Sequence, residues 1–316
     1  MTTRRAFLAA AGIAALAPLS LARAAVPTPA LGRLVTLLVR SAHVALRPVF
    51  VWLPDGYDRS ARGYPVLYMH DGEALFADAP AGAVTPPGID EHVDGLAFAG
   101  TIRMPIIVGI GGTPQRAREL LPATPLALMP ADMRGALERR IGGGTLSDNY
   151  LRFITAELKP LIDRSFRTLP GPADTAILGS GLAGLVSLYA LMQYPRVFGS
   201  AGCLSDRAPL FDLAPDERGA AEELATRRYL QQALPRAGGH RLYVDFGDID
   251  HDQAGRTLHD VMPDAARAKG YIEGFDLVSA ARYGATDNER QRIDRTDAAL
   301  TLLLRRLCPP REGRSD

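Results

Sequence analysis

The stretch Leu178-Gly179-Ser180-Gly181-Leu182-Ala183-Gly184-Leu185 satisfies two chemical patterns at once. Gly179, Gly181 and Gly184 fit G-x-G-x-x-G, a turn whose glycines let a pyrophosphate approach a helix N-terminus. Asp206 follows the next apolar run, where a ribose-binding acid would stand. The same residues also fit the frame of a nucleophile elbow, G-x-S-x-G, with Gly181 at the serine position and Ala183 at the second glycine. Both patterns require a sharp strand-to-helix turn, so the turn alone does not choose between hydride chemistry and acyl transfer. Ser180, beside Gly181, is a turn residue expected to bond its own backbone, or an alternative nucleophile in a rebuilt turn.

A second polar concentration follows a β-rich run at Asp248-Ile249-Asp250-His251-Asp252. Three aspartates alternate here with Ile249 and His251. The alternation also opens like a calcium loop, but Gln253 replaces the required glycine and His259 the closing glutamate. A solvated acidic loop is the expectation, with His251 as an alternative base. No Cys/His grouping has zinc spacing, and Cys203 and Cys308 are the two cysteines. No metal and no cofactor are implied outside the dinucleotide reading.

The elements that must position these residues are legible from their periods. Strand-like runs come first, at 34–39, 48–53 and 65–70, and alternation of strands and helices follows. Met104–Ile110 is continuously apolar, as for a strand covered on both faces. Asp148 is a candidate cap for a helix to about Phe166. Short strands at 175–178, 201–204, 241–246 and 275–280 alternate with helices at 182–192, 254–269 and 290–307. Ala77–Pro87 and Thr113–Gly144 read as loops over the sheet. The order predicts a single α/β domain: a mostly parallel, doubly wound sheet with antiparallel N-terminal strands.

Further motifs lie in order along this frame. They include Val51-Trp52-Leu53-Pro54-Asp55-Gly56-Tyr57-Asp58, Tyr64-Pro65-Val66-Leu67-Tyr68-Met69-His70-Asp71-Gly72 and Gly88-Ile89-Asp90-Glu91. Glu157-Leu158-Lys159-Pro160-Leu161-Ile162-Asp163 and Tyr194-Pro195-Arg196-Val197-Phe198-Gly199 follow. From about residue 34 to 307 the chain resembles the esterase group of the α/β-hydrolase superfamily. That group includes siderophore (enterochelin) esterases, S-formylglutathione hydrolases, feruloyl esterases and mycolyltransferases. The resemblance implies a serine at the elbow, a histidine after the last strand and an acid near Asp248, Asp250 or Asp252. It also places His70, Asp71, Gly72 and Glu73, with Leu182, on the oxyanion side of the pocket. Glu73 stands where the group commonly has glutamine.

Two of those positions depart from the group. Gly181 has no side chain to attack with. The group's "GAxHNE" reads Gly284-Ala285-Thr286-Asp287-Asn288-Glu289, so Asp287 occupies the histidine position. A carboxylate with an ordinary pKa near 4 is a poor base at neutral pH. The expectation is a pseudo-hydrolase that keeps a pocket for an ester, acyl or glycan ligand. An active carboxylic-ester hydrolase using Ser180 with His251, or Asp287, is the second reading. A dinucleotide-binding oxidoreductase is the third.

The first residues carry Arg4-Arg5-Ala6-Phe7-Leu8, an apolar run to Leu21 and the small-residue site Ala22-Arg23-Ala24. This is a signal-peptide pattern of the twin-arginine type over residues 1–24, with residues 25–316 as the esterase-like domain and the periplasm or exterior as the destination. The whole chain has formal charge +1. Removing the three arginines of the leader leaves a near-neutral protein, which excludes an electrostatic role on nucleic acid. No later run is long enough to span a bilayer.

Overall fold

The computed structural model describes residues 26–76, 88–204, 217–246, 253–281 and 289–305. The strands are β1 (Arg33–Val39), β2 (Arg47–Leu53), β3 (Val66–His70), β4 (Ile106–Ile110), β5 (Thr175–Ser180), β6 (Ser200–Leu204), β7 (Arg241–Phe246) and β8 (Leu277–Ala281). They form one sheet in the order β1-β2-β4-β3-β5-β6-β7-β8. β1 and β2 run antiparallel to their neighbours, and β4, β3 and β5 to β8 are mutually parallel. This is the expected mixed, mostly parallel sheet with antiparallel N-terminal strands.

The helices are α1 (Ile89–Phe98), α2 (Arg116–Leu120), α3 (Ala123–Ala127), α4 (Ala131–Arg140), α5 (Ser147–Arg152), α6 (Lys159–Ser165), α7 (Leu182–Gln193), α8 (Glu217–Ala233), α9 (Gln253–Ala268) and α10 (Glu289–Leu304). Side chains alternate faithfully across the sheet. Val66, Tyr68, Val108, Ile177, Ala201 and Val244 face a layer built from α5 to α9. Leu67, Met69, Ile107, Leu178, Leu204 and Tyr243 face α1 and α10. The period of two thus fixes which layer each strand residue joins, and each central strand is buried on both faces.

Two sequence expectations need correction. The stretch 113–144, read as a loop, contains α2, α3 and α4. Its prolines, Pro114, Pro122, Pro125 and Pro130, cut the apolar period into pieces too short to register as helices. Leu121, Leu126, Met129, Met133 and Leu137 nevertheless make a small core of their own with Ala225 of α8. Asp148 does not cap the next helix. It lies in the first turn of α5, and its carboxylate accepts the Tyr189 hydroxyl at 2.5 Å.

Between α5 and α6 the backbone widens into a π turn over Phe153–Leu158. Pro160 lies two residues beyond it; it donates no N–H, and in a regular α-turn its ring would crowd the carbonyl four residues back. No helix among the described residues is long and apolar enough to cross a membrane.

Candidate functional site

β5 ends at Ser180, and α7 begins at Leu182, so a single residue makes the turn. Gly181 has φ 59° and ψ −125°, a region in which glycine avoids the side-chain clash that other residues meet. Its N–H donates to the Leu204 carbonyl of β6 at 2.8 Å, and its carbonyl accepts the Leu185 N–H at 3.1 Å. The turn is thereby tied to both the neighbouring strand and the helix it opens. The first N–H groups of α7 have no intrahelical acceptor, and Leu182 carries the first of them.

The flanking small residues are required by contact. A β-carbon on Gly179 would lie 2.5 Å from the backbone of Ala183, and one on Gly184 would lie 2.6 Å from Cys203 Sγ. Strand and helix touch at van der Waals distance, so these glycines answer to packing.

Ser180 differs from the expectation of a turn residue bonding its own backbone. It is the last residue of β5, with Ala176 and Leu178 on the α1–α10 face by strand alternation. It is buried, and among the described residues its Oγ has no hydrogen-bond partner.

One strand away, β3 ends at the same edge of the sheet, with Met69 in register with Leu178. His70 faces α5 and α7. Its Nδ1 lies 2.7 Å from the Tyr150 hydroxyl and its Nε2 3.1 Å from Ser187 Oγ, which itself donates to the Ala183 carbonyl at 2.7 Å. One arrangement satisfies all three: Tyr150 donates to Nδ1, Nε2–H donates to Ser187, and Ser187 donates onward. The ring is then neutral. Burial pulls its pKa down to about 4, with Arg116 and Arg47 adding to the effect and Asp71 opposing it. Burial likewise pushes the Tyr150 phenol well above its ordinary range.

Asp71 has φ 54° and ψ 47°, the only positive φ on a non-glycine among the described residues. Arg116 of α2 grips its carboxylate through Nε at 2.5 Å and Nη2 at 2.7 Å. Gly72 then passes so close to β4 that a β-carbon would meet the Gly109 carbonyl carbon at 2.6 Å. Glu73 turns back to accept the Gly112 N–H at 3.1 Å. Behind them Arg47 forks onto Glu119 at 2.6 and 3.2 Å, both side chains buried. Thr113 donates to the same carboxylate at 2.9 Å, and the Arg47 guanidinium lies over the rings of Tyr150 and Phe153. The cleft these residues line, together with Ile110, Gly111 and Leu120, has room for about one water.

Asp287, Asp248, Asp250, His251 and Asp252 lie outside the described residues, as do Ala77–Pro87, Cys308 and residues 1–24. The acid that is described at the end of β7 is Asp245. It is fully buried, accepts Arg295 of α10 at 2.7 and 2.8 Å and accepts the Tyr243 hydroxyl at 2.9 Å. Sequence reasoning missed Asp245–Arg295, Arg47–Glu119 and Asp71–Arg116. Their partners lie 50, 72 and 45 residues apart, and nothing local signals the pairing. Of the other histidines, His92 pairs with Asp297, and His240 bonds backbone carbonyls.

Residues 45–273 match the family described as "Putative esterase". A curated Bacillus subtilis (strain 168) protein, "Uncharacterized protein YbbA", is 27% identical over 156 residues, which are 49% of this chain and 54% of that one. The match thus spans about half the length of that curated relative. Among solved structures, an IroE-like serine hydrolase from Shewanella oneidensis superposes with a TM-score of 0.57 at 19% identity, over 85% of this chain and 79% of the other. The enterobactin esterase FES from Shigella flexneri, in the presence of enterobactin, gives 0.58 at 16%, over 91% and 62%. A ferulic acid esterase gives 0.53 at 17%, over 86% and 98%. At these identities the structural likeness concerns the fold. A dinucleotide fold gains nothing from it: the glycine turn follows the fifth strand of a sheet whose first two strands are antiparallel.

Proposed function

Because the chain belongs to the family described as "Putative esterase", we propose that it is an exported, esterase-like protein that has lost serine-hydrolase turnover and keeps the surroundings of its turn for binding an ester, acyl or glycan ligand. The observation that carries this reading is Gly181 at φ 59°, ψ −125°, alone between β5 and α7. That is the backbone bend a nucleophile elbow uses, held at the edge of the sheet, and there is no hydroxyl on it.

The nearby groups do not replace what is missing. Ser180 keeps its oxygen buried on the other face of the sheet, so using it as a nucleophile requires rebuilding the turn. His70 spends both ring nitrogens on Tyr150 and Ser187, and its low proton affinity suits a packing role rather than a general base at neutral pH. Asp287 at the histidine position, with an ordinary carboxylate pKa near 4, would be an equally poor base at neutral pH. The esterase names among the structural neighbours support an ester as the ligand class. Export rests on the arginine pair and apolar run of residues 1–24.

The test is labelling by a fluorophosphonate together with hydrolysis of p-nitrophenyl acetate, on the wild type and on Ser180→Ala. We expect no labelling and turnover at the buffer rate in both. Stoichiometric labelling abolished by Ser180→Ala would replace this reading with an active hydrolase built on a rearranged turn.

A further inference from the structure

At the opposite edge of the sheet, where the parallel strands begin, three arginines gather on the last turn of α10. Arg241, the first residue of β7, donates through Nη1 to the carbonyls of Leu303 at 2.9 Å and Leu302 at 3.4 Å. The backbone N–H of Arg103 donates to the Leu304 carbonyl at 3.0 Å, and its guanidinium pairs with Asp174. Arg305 follows α10 directly. It bridges to Ile102, and its guanidinium lies 4.6 Å above the Phe275 ring.

Capping of α10 explains part of this arrangement. Cations are favoured at a helix C-terminus, which carries about half a negative charge. That accounts for Nη1 of Arg241. It leaves Arg241 Nη2 and Arg103 Nε, both buried and, among the described residues, without hydrogen-bond partners. Arg241 as a whole is only 2% exposed. A buried charged donor without an acceptor costs far more than an exposed one. The guanidiniums also sit close enough to oppose each other: after burial itself, Arg305 and Arg103 hold the Arg241 pKa down, to about 10. Among the described residues Asp174 is the one carboxylate paired into this group.

We propose that Arg103, Arg241 and Arg305 form a binding site for a small divalent oxyanion of the phosphate class. Two charges are what the cluster lacks, since Asp174 answers one of its guanidiniums. Several oxygens on one centre suit planar forks arriving from different elements. Arg103 and Arg305 are partly exposed, where an ion arriving from solvent meets them first, and Arg241 is buried. The phosphate is a free ion or the headgroup of an anionic phospholipid. This site is remote from the Gly181 turn and does not depend on the function proposed there.

The experiment is calorimetric titration of the whole protein with inorganic phosphate, at constant ionic strength in chloride. Saturable binding at one site is expected. Arg305→Gln and Arg103→Gln, which leave buried Arg241 in place and so the fold, should each weaken it about tenfold, the scale of a charge-assisted contact. The exposed Arg62→Gln should bind as the wild type does. A wild type without saturable binding, or an Arg305→Gln protein that binds unchanged, overturns the proposal. Co-sedimentation with phosphatidylcholine vesicles, with and without phosphatidic acid, separates the sources. Phosphatidic-acid-dependent binding that inorganic phosphate reverses assigns the headgroup, and its absence beside saturable phosphate binding assigns the free ion.

Discussion

At the β5–α7 turn, Gly179, Gly181 and Gly184 reduce the site to backbone, and strand and helix meet at contact distance. One strand away, the end of β3 carries His70, Asp71 and Glu73, each with its polar atoms already bonded to protein. The first region is a sharp strand-to-helix bend with no side chain at its apex. The second has reacting groups in plenty and none at liberty. The contrast teaches that an edge of this fold can be preserved by packing in one place and by an ion-pair network in another, with neither needing catalysis to explain it.

The largest test of that contrast is on the network. Glu119→Ala strands the Arg47 guanidinium in a buried site and should cost about 4 kcal/mol, the usual penalty for breaking a buried pair. The double replacement Arg47→Met with Glu119→Leu should cost much less, because it removes both charges. Urea unfolding of the three proteins measures this. Equal losses in the single and double variants would show that packing around Tyr150 and Phe153, rather than the unpaired charge, sets the cost.

A pH titration comes next. In the unfolded chain His70 titrates near the ordinary histidine value of 6.5, and in the native state burial brings it to about 4. Between those values the unfolded chain binds the proton and the native state does not. Stability therefore rises with pH across that window, is full above it and falls as pH drops. The difference amounts to about 3 kcal/mol at most. His70→Asn should flatten this part of the stability–pH curve. A variant whose curve keeps the wild-type slope between pH 6.5 and 4 would mean that the ring is not held neutral.

At the glycine turn, Gly179→Ala sets a methyl against the Ala183 backbone, which cannot rotate away. A loss of about 2 kcal/mol is expected, in the range for overpacking. Its unfolding midpoint in urea checks the claim that contact, and not ligand approach, requires the glycine. An unchanged midpoint would return Gly179 to the phosphate-cradle reading.

How much of this was legible in sequence differs between the two regions for a physical reason. The turn is local: an apolar strand, three glycines and an apolar helix lie within residues 175–193, although Ser180 extends the strand instead of joining the turn. β2, β3, β5, β6 and β7 were readable within one or two residues by the same logic. The network is not local. Its ion pairs join positions 45 and 72 residues apart, and Arg116 and Glu119 sit on α2, in a segment whose prolines hide the helical period. α1 and α8 were also not read as helices. Asp245 was passed over for the more conspicuous aspartates after it, because only Arg295, brought in by α10, reveals its role.

The smallest expected effect bears most directly on the proposed function. At φ 59°, ψ −125° a serine is strained where glycine is not, so Gly181→Ser should destabilise by about 1 kcal/mol. A working esterase bears that strain because the hydroxyl it places over the sheet edge is needed for turnover. Once turnover is lost, glycine relaxes the turn at no cost, and the exchange is one a non-catalytic chain would favour. On the proposed reading the added hydroxyl finds no competent base among the described residues, so Gly181→Ser alone should hydrolyse p-nitrophenyl acetate no faster than the wild type. Gly181→Ser with Asp287→His supplies both partners and should show weak turnover, limited by whatever supporting contacts have drifted. Melting temperature and ester hydrolysis on the wild type, both singles and the double separate strain from chemistry. A stabilised Gly181→Ser protein would contradict the backbone conformation of the turn. Robust turnover by Gly181→Ser alone would mean that a base is already in place, and that the chain lacks only its nucleophile.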